Sequence, residues 1–165
     1  MNTKKLTYMS LLTAMALIIF VIELQIPPLF PIPGAKLGLA NIVTVFAVYT
    51  LRPAESAMIL TARILLGTLI AGSPISLIMS LSGGFLCLAG MLLLCRVIDK
   101  QHIWVCSVLG AVLHNLGQTA AAMLVMGTAS VLVYLPFLML TGCAAGLFTG
   151  LCAQYSVRAL GGRFK

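Results

Sequence analysis

A chain of 165 residues with 61% hydrophobic and 8% charged side chains is not a soluble domain, where roughly a quarter of the residues carry charge. The formal charge of +7 does not point to nucleic acid, because the basic residues are spread over short loops and the two ends instead of forming a binding stripe. Three acidic residues in all, with no Walker motif and no aspartate pair for magnesium, speak against hydrolase, transferase or diphosphate chemistry by this chain alone.

The expectation is an all-α integral membrane protein, one domain over residues 1–165, with six transmembrane helices and both termini cytoplasmic. A span needs about 20 apolar residues, or about 17 at the short end. The first is expected over Leu6 to Gln25 and, lacking a small-residue cleavage site after it, is expected to stay on the protein. Pro27, Pro28, Pro31 and Pro33 then rule out a regular helix, and with Gly34 they make a shaped loop that ends at Lys36. The second span, Leu37 to Leu51, is short, and Asn41 lies about one turn inside it. Arg52, Pro53 and Glu55 make a turn before the third, Ala54 to Ala71. Gly72, Ser73 and Pro74 lead into the fourth, Ile75 to Cys95, which ends at Arg96, Asp99 and Lys100. The fifth is Ile103 to Met126, and the sixth runs from Ala129 to Tyr155 with Pro136 as a kink.

This arrangement puts Lys4, Lys5, Arg52, Arg96, Lys100, Arg158, Arg163 and Lys165 on the side of the termini and Lys36 alone on the other, so the positive-inside rule makes the proline loop external. Small residues mark expected contacts: Gly67, Gly83, Gly84, Gly90 and Gly110, and a four-residue repeat at Gly142, Gly146 and Gly150. They fit close internal packing, with docking of another subunit as the alternative. The five cysteines lie in or beside apolar segments without a close pair and read as small apolar fillers.

An ionisable group in hydrocarbon costs about 2.5 to 3.5 kcal/mol on insertion scales and asks for a reason. Arg63, near the middle of the third span, either ties helices together or offers a fixed positive charge to an anion. On the fifth span His114 and Gln118 are four residues apart and share a face, with Asn115 adjacent. Such a group needs several polar partners, which an enclosed ligand would supply. No metal is expected there, since His102 is at the other end and no Cys, Asp or Glu shares the face; no cofactor is expected either. Ser80, Ser82, Gly83 and Gly84 in SLSGGF permit close approach of a helix or a ligand. Glu23 either faces Lys36 across the loop or reaches the membrane interface.

At PGAKLGLANIVTVFAVY, RILLG from Arg63, SLSGGF from Ser80 and GAVLHNLGQ from Gly110, the sequence resembles over nearly its whole length a small bacterial membrane family. This is the Gx transporter family, also labelled heptaprenyl diphosphate synthase component I. That family is similar in turn to the substrate-binding S components of energy-coupling factor transporters. The resemblance implies a multi-pass protein of the bacterial plasma membrane with a structured first external loop. It further implies Pro33 to Lys36 as a lid, and Ser10 and Ala14 as a docking face for a transmembrane coupling subunit with ATPases. Residue 10 is serine where the pattern has alanine. The expected function is capture of a small, anionic molecule by Lys36, Asn41, Arg63, His114, Asn115 and Gln118. Two alternatives stand beside it: a non-catalytic subunit that binds a prenyl diphosphate or quinone, entering sideways from the bilayer, and a scaffold in which Arg63 and His114 only hold helices together.

Overall fold

The computed structural model describes residues 3–26 and 38–160. Within them the chain forms α1 (Thr3–Leu24), α2 (Asn41–Thr50), α3 (Pro53–Ala71), α4 (Pro74–Leu94), α5 (Ile103–Met126) and α6 (Leu135–Leu160), with a 3-10 turn over Ala129–Tyr134 leading into α6. No strand occurs among the described residues. Local chemistry sets the boundaries. Pro53 and Pro74 open α3 and α4, at positions whose N–H would be unpaired in any case. The Glu55 carboxylate accepts the Arg52 backbone N–H at 3.1 Å, and Ser73 Oγ accepts that of Ser76 at 3.4 Å. Pro136, expected as a kink within the sixth span, is instead the second residue of α6. There its missing N–H breaks no helical bond, and the bend falls at the junction with the 3-10 turn.

Helices α1, α3, α4 and α5, and the stretch from Ala129 through α6, are each long and apolar enough to cross a membrane. Their outward faces suit lipid: Leu69, Leu124, Leu140 and Val133 are all more than two-thirds exposed. α2 differs from the span expected there. Its 10 residues rise about 15 Å, half of the roughly 30 Å hydrocarbon core. It starts at Asn41 because the chain turns just before it: Gly38 has φ +78, and the N–H groups of Asn41, Ile42 and Val43 are taken by the carbonyls of Gly38, Leu39 and Ala40. Leu37, Lys36 and the proline loop lie outside the described residues.

The helices pack closely where the small residues stand. A Cβ at Gly146 would come within 2.9 Å of Ala111 Cβ, and one at Gly150 within 2.6 Å of Trp104 Cα, so the four-residue glycine repeat of α6 faces α5 and admits its backbone. One end of the bundle is tied by polar contacts from every part of the chain. Lys5 Nζ meets Glu55 Oε1 at 2.6 Å, the Tyr49 hydroxyl donates to Ile98 O at 3.5 Å, and Arg158 Nη2 donates to Gln101 O at 3.5 Å. The start of α1, the α2–α3 and α4–α5 connections and the last turns of α6 therefore share that end, and most of the basic residues go with them.

Two apolar clusters form the interior. Along α5, Ile103 and Cys106 belong to the larger, and Ala121 and Ala122 to the smaller. His114 to Gln118 fall in the gap between them.

Candidate ligand-binding site

That gap is polar. Arg63 is near the middle of α3, inside a membrane-crossing length of helix, and is 6% exposed. Among the described residues its guanidinium makes one hydrogen bond, from Nη1 to Asn41 Oδ1 at 3.3 Å. Asn41 can reach Arg63 because α2 begins at this depth, so the first side chain of the short helix points into the bundle.

α5 supplies the opposite wall. Gln118 Nε2 donates to His114 Nε2 at 2.8 Å, which places the imidazole hydrogen on Nδ1, a buried atom with no hydrogen-bond partner among the described residues. Gln118 Oε1, on a residue 2% exposed, has no partner among the described residues. Gly83 explains the glycine pair of α4: a Cβ there would stand 2.8 Å from both Gln118 Cγ and His114 O. Only a residue without a side chain lets α4 lie this close to the wall.

α1 closes the side. Glu23 is 6% exposed and accepts the Gly38 N–H at 2.6 Å, a charge-assisted bond that pins the turn before α2 to the end of α1. Glu23 is therefore turned inward, away from the membrane interface that was one of its two expected positions; its other expected neighbour, Lys36, lies outside the described residues. Glu23, Gly38, Asn41, Arg63, His114 and Gln118 line one cavity, to which Ser80 of α4 also contributes. About 20 Å³ of it is open to the centres of water molecules, room for about one water.

Of the residues expected to bind a ligand, Asn41, Arg63, His114 and Gln118 are thus brought together. Asn115, one residue round the helix from His114, faces α6, where its Nδ2 donates to Leu138 O. It lines a second, smaller void that shares Gly38, Asn41 and His114 with the first. The floor of this void holds Ser107 Oγ and Thr149 Oγ1, 3.1 Å apart. Gly38 was not expected at the site. Its signal in the sequence is its position three residues before Asn41, as the only glycine between the lysine and the asparagine. Ser10 and Ala14 lie elsewhere, both exposed, on a groove of about 380 Å³ between α1 and α3 that Met58, Ala62 and Leu66 help to line.

Comparison with known proteins gives one family. The family model described as heptaprenyl diphosphate synthase component I matches residues 12–156. No curated protein and no solved structure matched the chain.

Proposed function

This chain belongs to the heptaprenyl diphosphate synthase component I family, and from that premise we propose that it is a non-enzymatic membrane subunit that captures a small anionic molecule. The observation that carries this reading is Arg63, a buried cation that lines a cavity and makes one hydrogen bond among the described residues. A guanidinium that only tied helices together would be expected to find carbonyl partners, as Asn115 does on α6. The positive end of the α2 dipole also points at the cavity. The first N–H groups of α2 are taken by the preceding turn, so the helix adds field, not donors. Half-length helices that end at a mid-membrane site are a known device for holding charged ligands.

In this reading the termini are cytoplasmic and the ligand arrives from outside the bacterial plasma membrane. Release is driven by a coupling subunit with ATPases. The groove bearing Ser10 and Ala14 is the docking face for that subunit, as it is apolar, lined with small residues and separate from the ligand site. The test is native mass spectrometry of full-length protein gently extracted from its own membrane. A retained water-soluble anion that is lost in Arg63→Lys, with ATPase subunits alongside, supports capture.

A second reading is favoured by the family description itself, which names a prenyl diphosphate synthase. The chain would then hold a prenyl diphosphate beside an enzyme, with the headgroup on Arg63. A retained prenyl lipid in the same experiment, without ATPases, would replace the first reading with this one.

A further inference from the structure

The end of the bundle tied by Lys5 and Glu55 also carries a cavity of about 610 Å³, lined by Lys4, Lys5, Tyr8, Thr50, Arg52 and Glu55 among others. Three cations stand against one acid there, and that acid is already engaged. Glu55 Oε1 meets Lys5 Nζ at 2.6 Å, and Glu55 Oε2 accepts the Arg52 backbone N–H at 3.1 Å. Lys4 and the Arg52 guanidinium form no ion pair among the described residues, and both residues are exposed. The first turns of α1 and α3 meet at this cavity, so the positive ends of two helix dipoles add to the field of the side chains.

The depth of the cavity says what kind of anion it meets. The 22 residues of α1 rise about 33 Å, against a hydrocarbon core of roughly 30 Å, which sets Lys4 at the level of the lipid headgroups. From Lys4 and Tyr8 one face of α1 continues through Leu11, Met15 and Ile18, at helical spacings of three and four. These three side chains are 58%, 47% and 60% exposed. Tyr8 to Ile18 covers about 15 Å, the depth of the chains of one leaflet. A free phosphate or an acidic peptide would engage the charge alone, whereas a lipid engages the charge and the apolar stripe below it.

We propose that this cavity binds the headgroup of an anionic phospholipid, with its phosphate on Lys4 and Arg52 and one acyl chain along Leu11, Met15 and Ile18. Lys5 stays paired with Glu55 and shapes the wall. Basic pockets between helices are suited to such headgroups. The bound lipid ties the start of α1 and the α2–α3 turn to one leaflet, so the protein is most stable in a membrane rich in anionic lipid. The site is separate from Arg63 and stands whatever the central cavity holds.

The test is thermal unfolding of delipidated full-length protein in a neutral detergent at low salt, titrated with dioleoyl phosphatidylglycerol, dioleoyl phosphatidylcholine and glycerol phosphate. A basic side chain beside an anionic headgroup is worth about fivefold in affinity. Phosphatidylglycerol is therefore expected to raise the midpoint at concentrations roughly 25-fold below phosphatidylcholine. Lys4→Gln and Arg52→Gln are each expected to remove about fivefold of that preference, and the double variant to remove it all. Should the double variant fail to fold, wild type at high salt replaces it, since screening must erase the same preference. Equal effects of the two lipids, or a preference that survives in the double variant, overturn the inference. Glycerol phosphate acting as strongly as phosphatidylglycerol also overturns it, because the site would then take a free anion and not a lipid.

Discussion

Arg63 keeps a full charge at a depth where nothing in the lipid can answer it. Its removal has two separable effects. Arg63→Ala is expected to cost about 2 to 5 kcal/mol in anion binding, the range found when one member of a buried charge pair is truncated, and to lower the melting midpoint because Asn41 Oδ1 loses its buried donor. Arg63→Lys is expected to keep the fold and lose most of the binding, since an ammonium cannot reproduce the planar fork. Titration of each purified variant with the anion retained by the wild type checks both. Gly38 makes the second residue-scale prediction. Its φ of +78 costs a side-chain-bearing residue about 1 to 2 kcal/mol, and a Cβ would stand 2.9 Å from Asn41 Nδ2. Gly38→Ala is expected to lose stability by that amount and to weaken binding by displacing Asn41, as a melting curve and a titration would show together. The sequence made Arg63, His114 and Gln118 legible because a polar group inside an apolar run has few explanations. Glu23 and Gly38 were not legible as site residues, because their role depends on where the end of α1 meets a turn far along the chain.

At the scale of elements, the long helices were readable to within a few residues from apolar length and from the prolines that open α3 and α4. α2 was not, since its apolar run continues upstream and only the left-handed turn at Gly38 stops the helix. The glycine repeat of α6 and the small face of α1 look alike in sequence, yet they face opposite surroundings. Gly146 is pressed against α5, whereas Ser10 and Ala14 line an exposed groove. Gly146→Leu is therefore expected to overpack the α5–α6 contact and destabilise the protein by about 1 to 3 kcal/mol or more, seen as a lower melting midpoint and poor yield. Ser10→Leu is expected to leave the melting midpoint unchanged and to reduce co-purification of the coupling subunit. If both substitutions only lower the midpoint, the groove has no docking role.

For the whole molecule, the polar ties at one end of the bundle gather the basic connections on a single face, which the positive-inside rule is expected to turn to the cytoplasm. A green fluorescent protein fused after residue 165 is expected to fluoresce, and alkaline phosphatase fused after Gly127 to be active; the reverse pattern would invert the orientation. The depth of the site then has an electrical consequence. Arg63 and His114 each lie near the middle of a membrane-crossing helix, so a ligand arriving from outside travels partway down the membrane voltage before it is held. Moving one elementary charge across the full membrane is worth about 2.3 kcal/mol per 100 mV. A monoanion seated halfway would thus lose roughly 1 kcal/mol per 100 mV of interior-negative voltage, and its apparent affinity should rise when cells are depolarised. A zwitterion, bringing both charges to the same depth, would bind equally well at any voltage.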